Sequence, residues 1–108
     1  MYNFEFAKPA TVADAAAALA GDEAQALGGG QTLLPTMKQR LAAPTVLVSL
    51  TGIPEMQGVC RDSDTLSIGG ATPHAVVARE AAPHFSGLAA LAGQIGDIAV
   101  RNRGTIGG

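Results

Sequence analysis

The sequence predicts an α+β domain made of a parallel β-α-β unit followed by a hairpin and helices. Three observations predict it. Over the first fifty residues, short apolar runs alternate with stretches of helical periodicity. Two β-prone runs then flank a short polar turn at Asp62-Ser63-Asp64. Glycines gather at Gly28-Gly29-Gly30, at Gly69-Gly70 and at Gly104 with Gly107-Gly108, each beside an apolar segment, where turns and close backbone approaches belong.

Taken in order, Met1 to Phe6 alternates weakly and stops before Pro9, as a short edge strand does. Thr11 is placed to cap a helix, with Asp14 three residues on suiting the positive helix end. Val12, Ala15, Ala16 and Leu19 form its apolar stripe, and Gly21 stops it. Ala24 to Leu27 is a short strand running into the three glycines. Thr32 to Leu41 reads as the next helix, with Pro35 early and Lys38 and Arg40 near its end. Val46 to Leu50 is a buried strand. The connections between these strands make them parallel.

In the second half, Gln57 to Arg61 and Thr65 to Gly69 are the arms of the hairpin. Thr72-Pro73 reads as an N-cap followed by proline at the first helical position, opening a helix to about Ala81. Pro83 breaks it. Phe85 to Ile95 carries Leu88, Leu91, Ala92 and Ile95 at helical spacing, and Asp97 to Gly108 reads as loop and turn. The expected organisation is two parts, residues 1–53 and 54–108.

Composition excludes several classes. Of the 108 residues, 47% are hydrophobic and 15% charged, which is globular. With one Tyr and three Phe the core must be aliphatic. A net charge of −2 gives no electrostatic reason to expect nucleic acid or an anionic membrane. No apolar run approaches the roughly 18 residues of a membrane span. The start lacks a basic n-region and an apolar h-region, and the lone Cys60 has no internal disulfide partner, so the expected location is the cytoplasm. His74 and His84 show no metal-ligand spacing, and no metal site is expected. His74 is given a surface or capping role, Asp62 and Asp64 a turn-forming one, and Arg101 and Arg103 a solvated or ion-paired one.

The stretch from Leu27 to Pro35, LGGGQTLLP, is a strand passing through glycines into a helix start. Free backbone N–H groups there, with no Cβ in the way, suit a phosphate. It fits neither GxxxxGK[ST] nor GxGxxG. A plain strand-to-helix turn needing positive φ accounts for the same residues, and the residues alone leave both open. RNRGTIGG, Arg101 to Gly108, again offers a hydroxyl and glycine amides to a phosphate, with arginines nearby.

In combination these segments resemble the FAD-binding medium subunit of the molybdenum hydroxylases, the xanthine dehydrogenase and aerobic carbon monoxide dehydrogenase type. LGGGQTLLP is similar to that family's AGGQSLLP-type loop, and RNRGTIGG to its second flavin motif. The F-x-F-x-x-P start, MK-x-R-L-x-x-P at Met37 to Pro44, and I-G-G-x-T-x-H at Ile68 to His74 are collinear with it. Departures are Gly28 in place of the frequent alanine, Thr32 in place of serine, and Asp97-Ile98-Ala99-Val100 in place of a Pro-Gln pair.

The resemblance implies the vanillyl-alcohol-oxidase type of FAD-binding fold, a small β-α-β subdomain against a larger antiparallel α+β subdomain. It implies that Gly28, Gly29, Gly30, Gln31 and Thr32 bind the FAD pyrophosphate region, that Leu33 and Leu34 wall the cofactor, and that Thr105, Ile106, Gly107 and Gly108 approach it from the other side. It further implies electron transfer from [2Fe–2S] clusters through FAD to an external acceptor. The molybdenum cofactor and the clusters belong to a large and a small partner subunit. Family subunits continue past the second motif, so the 108 residues alone are expected to be inactive. Rival readings are a self-contained flavin oxidase or reductase of the same fold, and a truncated, non-catalytic binding module.

Overall fold

The computed structural model describes residues 1–108, which form two small sheets and five helices. The first sheet holds β1 (Glu5–Ala7), β2 (Ala24–Leu27) and β3 (Val46–Ser49) in the order β1-β3-β2, every pairing parallel. The central strand is β3, and its Leu47, Val48 and Ser49 are buried, as an inner parallel strand requires. Helix α1 (Val12–Leu19) joins β1 to β2, and α2 (Leu33–Lys38) joins β2 to β3.

Thr11 caps α1 as expected, its hydroxyl accepting from the Asp14 amide at 3.1 Å. The stripe is rotated from the expected one: Ala15, Ala18 and Leu19 face the core, while Val12 is 43% exposed and Ala16 is also outside. Helix α2 ends at Lys38, short of Leu41. Arg40 turns left-handed (φ 60°), the Leu41 amide donates to the Thr36 carbonyl, and the Arg40 amide to that of Met37. These two bonds are those of a Schellman stop. With arginine where glycine usually sits, the sequence carries no sign of it. The Arg40 guanidinium lies 5.1 Å from the Tyr2 ring centroid.

A short 3-10 turn at Pro54–Met56 leads to the antiparallel hairpin β4 (Val59–Asp62) and β5 (Thr65–Ile68). Its two-residue turn uses Ser63 at φ 54°, with Arg61 Nε donating to the Ser63 carbonyl at 3.1 Å. Three helices follow: α3 (His74–Glu80), α4 (Ser86–Ala92) and α5 (Ile98–Arg103).

Three expectations are corrected here. Thr72 is not the cap of α3. Pro73 holds that position, and the buried Thr72 hydroxyl instead accepts from the Gly58 amide at 2.9 Å, tying the helix entry to the base of the hairpin. Leu91, expected inside, is 61% exposed, because Leu88, Ala89 and Ala92 are the residues of α4 that pack inward. The segment after Asp97 is a helix and not a loop. The Asp97 carboxylate caps it by accepting from the Val100 amide at 2.8 Å, and Gly104 ends it.

The core is divided. Ala15, Val48 and Ile53 form one buried cluster with Met56 packed on it, and Val77, Ala81, Ala89 and Ala92 form another, covered by the hairpin residues Val59, Leu66 and Ile68. Met37, 1% exposed, fills the space beneath α2.

Candidate functional site

The two glycine motifs, more than seventy residues apart in the chain, lie against each other. Strand β2 delivers Gly28 and Gly29 to the carboxyl end of the first sheet, and α5 delivers the second motif. A Cβ on Gly28 would sit 2.6 Å from the Thr105 hydroxyl and overlap the Gly108 carbonyl oxygen. One on Gly29 would overlap the Arg103 carbonyl oxygen and lie 2.6 Å from the Gly104 Cα. These glycines are small because another stretch of backbone occupies the place of their side chains. Gly30 differs: its φ of +77° is the left-handed turn into α2, and the Leu34 side chain covers it.

None of the backbone N–H groups of Gly28, Gly29, Gly30, Gln31 and Thr32 donates to another backbone carbonyl. The Thr32 hydroxyl makes no capping bond either. A run of unused donors at a strand-to-helix junction is an anion-binding concavity. The second motif is unlike the first in this respect. The Ile106 amide donates to the Thr72 carbonyl, that of Gly107 to Gly70 and that of Gly108 to Thr105, while the Thr105 hydroxyl donates to the Gly108 carbonyl. The expectation that Thr105, Gly107 and Gly108 offer free donors is therefore corrected: those donors are spent inside the chain.

Two cavities flank the glycine loop. The first, about 470 Å³, is walled by the loop from Gly28 to Leu33 with Gln25, His74, Ile95, Val100, Gly104 and Thr105 among its neighbours. The second, also about 470 Å³, opens at the carboxyl ends of the three parallel strands and shares Leu27, Gly28 and Gly29 with the first. Leu33 faces the first cavity and Leu34 the second, so this pair parts across the loop. Gly107 reaches only a small hollow of about 70 Å³ between Gly28 and Gly70. Ile106, 38% exposed, lines none of the three.

His74 is not the surface residue the sequence suggested. Its amide donates to the Gly104 carbonyl, its ring borders the first cavity, and its Nδ1 is buried without a hydrogen-bond partner. Arg101 is held by backbone and not by an acid, donating from one nitrogen to the carbonyls of Ile95 and Gly96. No group of three or more His, Cys, Asp or Glu side chains is gathered to hold a metal.

Residues 2–108 match the family model described as the FAD binding domain in molybdopterin dehydrogenase. The chain belongs to this family. Among proteins similar to this FAD-binding domain, the carbon monoxide dehydrogenase medium chain of Hydrogenophaga pseudoflava is 39% identical over 98% of the chain and 38% of its own length. The nicotine 6-hydroxylase medium subunit of Paenarthrobacter nicotinovorans is 36% identical over 95% of the chain and 38% of its own length. Two solved structures superpose closely. Carbon monoxide dehydrogenase from Hydrogenophaga pseudoflava gives a TM-score of 0.93 at 39% identity, over 99% of this chain and 39% of that one. Quinoline 2-oxidoreductase from Pseudomonas putida 86 gives 0.94 at 31%, over 98% and 38%. The FAD-binding domain thus spans less than two-fifths of the length of these relatives.

The domain's own geometry fits a dinucleotide carrying a diphosphate. The unused amides of the loop supply donors without a competing carboxylate, and two cavities meet at the same glycines. Lys8 and Gln25 escaped the sequence reading of the site, because nothing in their spacing marks them, and His74 was read as a surface or capping residue; the fold brings all three to the loop.

Proposed function

We propose that this chain holds FAD within a molybdenum hydroxylase complex, where electrons reach the flavin from [2Fe–2S] clusters and leave for an external acceptor. The observation that carries the proposal is the run of five unpaired loop amides beside two cavities, in a chain of the FAD-binding family. FAD, when bound, accepts electrons one at a time and releases them as a pair. What the chain contributes is position and electrostatics. The amides of Gly28, Gly29, Gly30, Gln31 and Thr32 receive the pyrophosphate, and Leu33 and Leu34 exclude water on either side of the loop. Thr105, Gly107 and Gly108 act by bracing: their hydrogen bonds hold the second motif against Gly28 and so fix the loop that carries the donors. Ile106 lines none of these cavities. In this reading residues 1–53 and 54–108 are the two parts that grip the cofactor.

The partners proposed are a large molybdenum-binding subunit and a small [2Fe–2S] subunit, as the relatives' names as medium chains suggest. No helix here is long and apolar enough to cross a membrane, and a cytoplasmic location belongs to the proposal. The test is to tag the full-length protein in its native host, purify it, and measure subunits, molybdenum, iron and flavin. The proposal expects three subunits and one FAD per tagged chain, with both the iron–sulfur and the flavin absorbance bleaching when reductant is added. A tagged protein with flavin but no molybdenum or iron partner would refute it.

A further inference from the structure

The first cavity beside the glycine loop contains no lysine or arginine, whereas the second contains two cations and no carboxylate. Lys8 follows β1, and Arg103 ends α5. The Lys8 stem runs over Gly52, whose added Cβ would sit 3.0 Å from the lysine Cε, and the Arg103 carbonyl is pressed against Gly29. The same cavity is lined by Ser49 and Thr51, whose hydroxyls lie 3.1 Å apart, and by Gln57, whose amide nitrogen donates to the Thr51 carbonyl. The exposed ring of Phe6, 58% accessible, borders the same cavity. This cavity opens outside the carboxyl ends of β1, β2 and β3, where open parallel sheets bind their ligands.

A diphosphate needs charge as well as donors, and ionised partners roughly double the strength of a hydrogen bond. We propose that the second cavity is a phosphate subsite, in which Lys8 and Arg103 neutralise a phosphate or diphosphate lying against Gly28 and Gly29. Two sources share that chemistry: the diphosphate of the flavin dinucleotide itself, and the phosphate of a separate nucleotide. For the first source the inference rests on the FAD reading above; for the second it does not.

The test uses the full-length protein in its complex, with Lys8→Met, Arg103→Met and the double variant beside the charge-keeping Lys8→Arg and Arg103→Lys. Methionine keeps the apolar stems, and thermal melting checks that the variants fold. FAD is titrated into flavin-stripped protein at several salt concentrations, and ADP into flavin-loaded protein. The double methionine variant is expected to bind FAD about tenfold or more weakly, the loss of charge-assisted bonds to an anion, with a shallower dependence on salt. The charge-keeping variants stay near wild type, and riboflavin, which has no phosphate, binds equally throughout. Unchanged FAD affinity with loss of ADP binding assigns the subsite to a separate nucleotide. Wild-type affinity for both ligands in the double variant overturns the proposal. Should the variants not fold, inorganic pyrophosphate is titrated against FAD in wild-type apo protein and against ADP in flavin-loaded protein, and absence of competition with both overturns it equally. A wild-type complex that takes up no flavin at all would refute the FAD reading and leave the ADP titration to decide the subsite.

Discussion

Gly29 and Arg103 meet backbone to backbone, with the arginine's carbonyl oxygen standing where a Cβ of residue 29 would be. Gly107 stands in the same relation to Gly70, whose carbonyl oxygen would lie 2.6 Å from its Cβ. The two motifs are therefore parts of one packed junction, and their glycines serve the joint between the chain's halves before they serve any ligand.

Substitution at Gly29 should accordingly damage the protein even without cofactor. Gly29→Ala is expected to cost about 1–3 kcal/mol, the usual range for forcing a methyl into filled space. Gly21→Ala, where a Cβ meets only the Ala18 carbonyl at 3.7 Å, should be neutral. Denaturant melts of the two apo proteins decide this; equal midpoints would mean the junction is looser than described.

How much of this was legible in the sequence follows from the range of the forces involved. Strands β2 and β3 were legible because their apolar runs end at glycine, proline or polar residues, and α1 because Thr11 caps it by a three-residue contact. The stop of α2 at Arg40 was not, since an arginine there takes the left-handed position that glycine usually marks, nor was the role of Thr72, which depends on the distant Gly58. Of the site, the loop from Gly28 to Thr32 was visible as a pattern. That the second motif spends its donors on Gly70 and Thr72 was not, because those carbonyls reach it only through the fold.

Helix α5 is capped by one carboxylate. It has six residues, too few to persist without tertiary support and a cap, and Asp97 supplies the cap. Asp97→Ala is expected to cost about 1 kcal/mol, while Asp97→Asn, which keeps the acceptor, costs much less. Because α5 positions Arg103 and Gly104 against the glycine loop, the alanine variant should also bind FAD more weakly. Equilibrium unfolding and flavin titration on the same preparations test both. Weakened stability with unaltered flavin affinity would separate α5 from the site.

Thr72 is a second such point. Replacing it with valine keeps its volume but strands the Gly58 amide in a partly buried place, an effect of roughly 1–3 kcal/mol. Thr72→Ser, which retains the hydroxyl, should recover most of it. Hydrogen exchange at Gly58 is the direct readout, expected to accelerate in the valine variant and to stay slow in the serine one.

Attachment of the flavin should be non-covalent. Cys60 points from an exposed strand of the hairpin and lines neither cavity beside the loop, and His84 lies beyond α3, again outside both. His74 does border the first cavity, but its Nδ1 is buried. Acid precipitation of the full-length protein is expected to release all of its flavin into the supernatant. Yellow colour that stays with the washed pellet would contradict this and would direct attention to His74.

Residues 1–108 by themselves should be a poor flavoprotein and a sticky one. Their accessible surface is 6597 Å², against the roughly 5500 Å² that a compact monomer of this mass exposes. The radius of gyration is 15.0 Å, where about 13 Å is usual for this length. Only 14 of 108 residues are buried, and Phe6, Leu41, Phe85, Leu91 and Ile98 are each more than half exposed. Apolar surface of this kind is covered by self-association when nothing else covers it. The edge strands β1 and β2 give a second route, because each has one side without a partner strand. The FAD-binding cavities are open ones that border this surface, so a dinucleotide bound there keeps much of itself in water and gains correspondingly less. Sedimentation of the isolated 108-residue chain is expected to show concentration-dependent oligomers, and the purified material should be colourless. Flavin fluorescence titration completes the test. Saturable binding of FAD at nanomolar concentration by a monomer would overturn the expectation, and would mean that the two motifs and the walls described here suffice for the site.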